Sequence, residues 1–135
     1  MFEYCSVIVT SSALGCLTDL MSTAAAVTGD SKRSGVGVDS YSLLPVMLGK
    51  QSESPREVVV HHSLDGMFSV RQGDWKLIIG RGSGGFTQPR QVDIAEGEAS
   101  GQLYNPSEDP GEQNNVYTEQ PEKVEELLAI LTKLR

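Results

Sequence analysis

Three short β-type runs, separated only by turn residues, occupy the middle of this sequence and commit it to an antiparallel sheet. Residues 57–62 are rich in Val, residues 67–71 alternate Met67, Ser69, Arg71 against Phe68, Val70, and residues 75–79 alternate Trp75, Leu77, Ile79 against Lys76, Ile78. Leu64-Asp65-Gly66 and Gln72-Gly73-Asp74 supply the hairpin turns, with Gly73 free to take φ > 0. Strands joined this tightly form a meander with one buried face and one wet face, so the chain must also supply a covering layer.

The last segment supplies that layer. Pro121 suits the first helical position, with Glu119 and Glu122 nearby and Thr118 or Gln120 as the cap. Val124, Leu127, Leu128, Leu131 and Leu134 form an apolar stripe, while Glu125, Glu126 and Lys133 face water. Residues 101–105 read as a fourth strand, followed by a turn-rich stretch from Pro106 to Asn115. Between the third and fourth strands, residues 80–100 are a long glycine-rich excursion, of the kind that is either functional or disordered.

Upstream of the sheet, residues 15–28 read as a helix with Leu17, Leu20, Met21, Ala24, Ala25 and Val27 along its apolar side and Gly29 as its stop. A mobile loop is expected over residues 29–38. A short helix follows, capped by Asp39 or Ser40, with Leu43, Leu44, Met47 and Leu48 on its apolar side, Pro45 in its first turn and Gly49 at its end. The expected fold class is therefore α+β: a four-stranded antiparallel sheet packed against a C-terminal α-helix, with two N-terminal helices.

Composition narrows the functions. At 135 residues, 39% hydrophobic and 21% charged, the chain suits one modest domain, and 6% aromatics leave the core to Leu, Val and Ile. A net charge of −7 with no Lys/Arg cluster disfavours nucleic acid and anionic membranes as partners. No run approaches the roughly 18 apolar residues needed to span a bilayer. Residues 1–5 hold an acidic side chain and no basic one, a poor start for a signal peptide. Cys5 and Cys16 are too few for a disulfide scaffold and read as unrelated thiols, although spacing leaves a bridge between them open.

Four stretches, in order, carry a resemblance. They are Thr18-Asp19-Leu20-Met21-Ser22-Thr23, then Asp39-Ser40-Tyr41-Ser42-Leu43-Leu44-Pro45-Val46-Met47-Leu48-Gly49, then Val70-Arg71-Gln72-Gly73-Asp74-Trp75-Lys76-Leu77-Ile78, and finally residues 103–115 with Leu103-Tyr104, Asp109-Pro110, Glu112 and Asn115. Together, over about residues 16–135, they resemble the C-terminal region of the type I sulfatases, whose fold is similar to alkaline phosphatase. The resemblance divides the chain into an N-terminal helix and flexible loop, 1–38, expected to be poorly ordered, and a sulfatase-like C-terminal subdomain, 39–135.

The resemblance also implies what is lacking. Sulfatases hydrolyse sulfate esters with a formylglycine made from a C/S-x-P-x-R motif and a Ca2+ or Mg2+ held by Asp and Asn oxygens. Cys5 leads into Ser6-Val7-Ile8-Val9 and Cys16 into Leu17-Thr18-Asp19-Leu20, neither of which is that motif. No catalytic residue, metal ligand or cofactor is therefore expected in this chain; the formylglycine and the metal belong to the family's upstream half. Relatives of this kind are often secreted, periplasmic or lysosomal.

His61, His62, Arg81 and Ser83 are the substrate-lining candidates that the resemblance suggests. Adjacent in a strand, His61 and His62 point to opposite faces and cannot both ligate one metal. Residues 80–86 do not make a phosphate loop, since no helix and no Gly-Lys-Ser/Thr ending follow them. Lys76 and Arg71 read as solvated strand positions, and Asp65, Asp74 and Asp109 as turn residues.

Two functional readings follow. In the first the chain is the supporting and substrate-lining part of a sulfatase, inactive alone, partnered by the catalytic domain. In the second it is a free-standing, non-enzymatic binding or interaction module derived from that part. Under both, an exposed sheet face is expected to drive docking or homo-oligomerisation.

Overall fold

A computed structural model describes residues 11–30 and 37–134. Cys5, the rest of residues 1–10, and residues 31–36 of the expected mobile loop lie outside the described residues. The chain forms two compact units, Met1–Glu57 and Val58–Arg135.

In the first unit, α1 spans Asp19–Thr28 and closes on Gly29 at φ 71°. Its orientation reverses the sequence expectation. Leu17 is 83% exposed and Leu20 61% exposed, with Met21 and Val27 also in solvent, whereas Asp19, Ser22 and Thr23 are buried. The reason is a row of polar side chains that binds the backbone of residues 40–43, helped by the Ser40 hydroxyl, which binds the α1 backbone in return. The Ser22 amide donates to Ser40 Oγ at 2.8 Å, Ser22 Oγ donates to Ser40 O at 2.8 Å, and the Leu43 amide donates to Thr23 Oγ1 at 2.9 Å. The Tyr41 amide donates to Asp19 Oδ1 at 2.9 Å. Positions one helical turn apart thus replace a strand partner for that segment.

The second helix, α2, is only Leu44–Met47, with Pro45 in its first turn. Neither Asp39 nor Ser40 caps it: Leu43 occupies the N-cap and makes no side-chain cap bond. Ser40 is drawn instead to α1, and the Asp39 carbonyl accepts from Thr18 and Arg56.

In the second unit, β1 (Val58–His62), β2 (Phe68–Gln72), β3 (Trp75–Ile78) and β4 (Gln102–Tyr104) form one antiparallel sheet in sequential order. The register pairs Val60 with Val70, Val70 with Leu77, and Leu77 with Leu103. The helix α3, Pro121–Leu134, lies over that row. Val70, Leu77, Leu103, Val124, Leu127 and Leu131 form the core, flanked by Val58, Val60, Phe68, Trp75, Val116, Tyr117, Leu128 and Ile130. The α+β architecture, the meander and the covering helix are as expected. Leu134 departs from the expected stripe and is exposed, and Ile130 packs in its place.

The outer edge of β4 is closed by a side chain. Asn115 Oδ1 accepts from the Leu103 amide at 3.0 Å and the Tyr117 amide at 3.1 Å, Asn115 Nδ2 donates to Gly101 O at 3.1 Å, and the Val116 amide donates to Leu103 O at 3.0 Å. An edge strand whose donors are satisfied in this way cannot recruit another strand there.

Candidate functional site: a concavity on the sheet

Alternation places Val59 and His61, Ser69 and Arg71, Lys76 and Ile78, and Gln102 and Tyr104 on the sheet face turned away from α3. Over this face lies an open concavity of about 690 Å3, bordered by His61, His62, Ser69, Lys76, Ser83 and Tyr104 among others. Of the four candidates, His61, His62 and Ser83 share this concavity. Arg81 is not part of its lining; its Nη1 pairs with Glu98 Oε2 at 2.7 Å. His62, at the strand end, tilts against Phe68 with ring centroids 6.0 Å apart, and its Nδ1 lies 2.9 Å from Ser63 O.

Charge within the concavity is arranged by residues that sequence reasoning did not count among the site candidates. Lys76 Nζ donates to both carboxylate oxygens of Glu112, at 2.7 and 2.8 Å, so Lys76 is a tethered cation rather than a solvated strand position. Tyr104 is buried, which raises the pKa of its phenol, and the nearby Glu112 and Asp109 charges push the same way against Arg81. Its hydroxyl therefore stays a donor, and it bonds Gln102 Oε1 at 2.9 Å. The Ser83 hydroxyl donates to Thr87 O and accepts from the Gly85 amide. The neighbouring Arg71 buries its Nε without a partner among the described residues. The signal available in the sequence was parity: once His61 is placed, every second residue on the paired strands faces the same way.

The expected turn residues behave as turn residues. Asp65 pairs with Arg90, Asp74 Oδ1 accepts from Ser107 Oγ, and Asp109 Oδ2 accepts from the Asn114 amide. Cys16 carries no disulfide. Among the described residues no helix is long and apolar enough to cross a membrane.

A Ca2+ or Mg2+ of the sulfatase type would need several oxygen ligands converging on one point. Among the described residues no three His, Cys, Asp or Glu side chains stand together, and Glu112 is already engaged by Lys76. The described residues do not fit such a metal.

No family model matches the chain. It is 32% identical over 97 residues to an N-acetylgalactosamine-6-O-sulfatase of Bacteroides thetaiotaomicron, a stretch that is 72% of this chain and 19% of that protein. Among solved structures, one from work on the metabolism of multiple glycosaminoglycans by Bacteroides thetaiotaomicron is similar at 29% identity and a TM-score of 0.63, over 86% of this chain and 24% of that one. Another, described in complex with its substrate D-glucosamine-2-N,6-O-disulfate, shares the fold at 24% identity and a TM-score of 0.56, over 86% of this chain and 23% of that one. By sequence and by fold together, the chain matches the C-terminal region of the type I sulfatases and spans only about a fifth to a quarter of the length of these relatives.

Proposed function

We propose that this chain is the supporting and substrate-lining portion of a sulfuric ester hydrolase acting on sulfated sugars, with the nucleophile and the metal supplied by a portion outside it. The observation that carries this reading is the concavity on the sheet, where His61 and Lys76 on one sheet face, Lys76's partner Glu112, Ser83 of the following loop, and His62 at the strand end border one space. Its lining sets hydroxyl, amide and imidazole groups among a larger share of apolar surface from residues such as Met67 and Ile78, a mixture that suits the polar edges and apolar faces of a sugar substrate. The 32% identical relative, a sulfatase named for N-acetylgalactosamine 6-O-sulfate, supports the substrate class.

The partner in this reading is the catalytic sulfatase portion, and where that is absent, a second copy of the chain. The exposed sheet face is the expected docking surface, and the solvent-facing Leu20, Met21 and Val27 of α1, with Leu17 just before it, offer a second apolar surface for such docking. The chain alone is expected to show no turnover of 4-methylumbelliferyl sulfate, with or without Ca2+ or Mg2+. Metal-dependent release of the fluorophore by the purified chain overturns the division of labour. An in-frame C/S-x-P-x-R segment upstream of the Met1 codon supports it, and a stop codon there favours the free-standing module.

A further inference from the structure

We infer that the glycine-rich segment from Gly80 to Arg90 is a preset wall of the concavity rather than a closing lid, and that Gln102 is the residue that sets it. The inference rests on the proposed role of the concavity only for its functional meaning, since the geometry is independent of any ligand.

Gln102 lies on β4 with its amide turned toward the segment. Its Nε2 donates to Gly80 O at 3.0 Å and to Gly82 O at 3.2 Å, and its Oε1 accepts from Tyr104 at 2.9 Å. The reverse amide orientation would set oxygen against two carbonyls, so the three contacts fix both the flip and the direction of the Tyr104 hydroxyl. One side chain thus couples the floor of the concavity to its rim.

The segment is tied to itself and to the turn after β1. The Ser83 amide donates to Pro89 O at 3.0 Å and the Gly84 amide to Arg90 O at 2.8 Å, so the chain doubles back as a two-rung ladder. The Asp65 amide donates to Gly84 O at 2.9 Å, and the Asp65 carboxylate pairs with Arg90. Gly84 is packed so closely that an added Cβ would collide with Ser63 Oγ and lie 3.1 Å from Met67 Cβ. Composition suggests a flexible loop, but these contacts hold it at both ends. A wall ordered beforehand spares the ordering cost that a lid pays on binding, and it selects ligands by the width it leaves.

The test is amide hydrogen exchange followed by NMR on the full 135-residue chain. Gln102→Met keeps the length and removes both polar ends; Gln102→Glu keeps the acceptor for Tyr104 and sets oxygen against the two carbonyls. Both are expected to speed exchange of the Ser83 and Gly84 amides by about tenfold or more, leaving Val70 and Leu77 unchanged. Gly84→Ala should release the same amides by a route that spares Gln102. Wild-type rates at Ser83 and Gly84 in both Gln102 variants overturn the inference. So does exchange in the wild-type chain that is already unprotected, or a loss of protection at Val70 that shows Gln102 to be a general stability residue. No ligand is used, so failure here is separate from failure of the sulfatase reading, which the turnover assay decides.

Discussion

Arg56 grips Asp19 with two prongs, Nε to Oδ2 at 2.8 Å and Nη2 to Oδ1 at 2.6 Å, while the Cys16 and Tyr41 amides fill the remaining acceptor sites of the carboxylate. Asp19 is fully buried, Arg56 nearly so, and the guanidinium lies over the Tyr41 ring, 4.9 Å from its centroid. Removing either partner leaves a charge desolvated with no counter-ion, at a cost of about 3–5 kcal/mol. Asp19→Ala and Arg56→Met are each expected to abolish amide protection at Ser22 and Leu43, measured by hydrogen exchange. Unchanged protection in both variants refutes the assignment of this pair as the centre of the first unit.

The same pair sets an acid limit. The Arg56 guanidinium is the main cause that brings the Asp19 carboxyl from 3.8 to about 2, with burial opposing it and the Tyr41 and Cys16 amides assisting. A depressed folded-state pKa gives stability that is complete above the ordinary value and is lost as pH falls through the folded value. The contribution is about 2 kcal/mol, lost between roughly pH 4 and pH 2. Thermal melts of wild type and Asp19→Asn should converge over that window; parallel curves down to pH 2 contradict it.

Asn115 is expected to matter more than an exposed loop amide usually does. Its side chain satisfies the Leu103 and Tyr117 amides and the Gly101 carbonyl at the edge of the sheet. Asn115→Ala leaves part-buried donors unmet, at a cost of about 1–3 kcal/mol. Denaturant unfolding monitored by Trp75 fluorescence should show a lower midpoint with an unchanged slope. Asn115→Asp keeps the two acceptor contacts and should lose less.

The sheet was legible because its signals are local: Gly73 and Asp74 sit between runs of period two, and the covering stripe of α3 repeats within one helix. The burial of α1 was not, because periodicity finds an apolar stripe but cannot tell which side meets a neighbour. Asp19, Ser22 and Thr23 face inward to satisfy backbone about 20 residues away, a pairing without local trace. Residues 80–90 read as loose from their glycines, yet the bonds that hold them come from Gln102 and Asp65. In the concavity, the sulfatase resemblance suggested His61, and strand parity said only that His62 points the other way. The partner that tethers Lys76 is 36 residues away, so composition suggested only a solvated lysine.

Core truncation should separate the two units. Leu77, Leu103 and Leu127 are fully buried between sheet and α3. Leu127→Ala is expected to cost about 2–5 kcal/mol. Because α3 covers β2 and β3 within the second unit, Val70 and Leu77 amides should lose protection in this variant. The Ser22 and Leu43 amides of the first unit should keep theirs, and simultaneous loss of all four means that the units unfold as one.

Self-association is the prediction most exposed to a plain measurement. Leu20, Met21 and Val27 occupy the solvent side of α1, whose polar row faces inward, and Leu17 is exposed just before it, so polar substitutions there remove apolar surface without touching the internal hydrogen bonds. Each exposed Leu removed from water on association is worth about 1–2 kcal/mol, and two together move a dimer constant by more than tenfold. Sedimentation velocity of the wild-type chain at tens to hundreds of micromolar, roughly the range such small patches support, should show reversible dimers or larger species. The double variant Leu17→Ser, Leu20→Ser should sediment as a monomer while Asp19, Ser22 and Thr23 keep the Ser22 and Leu43 amides protected. A wild-type chain that remains monomeric throughout that range, or a variant that associates equally, removes α1 as the docking face.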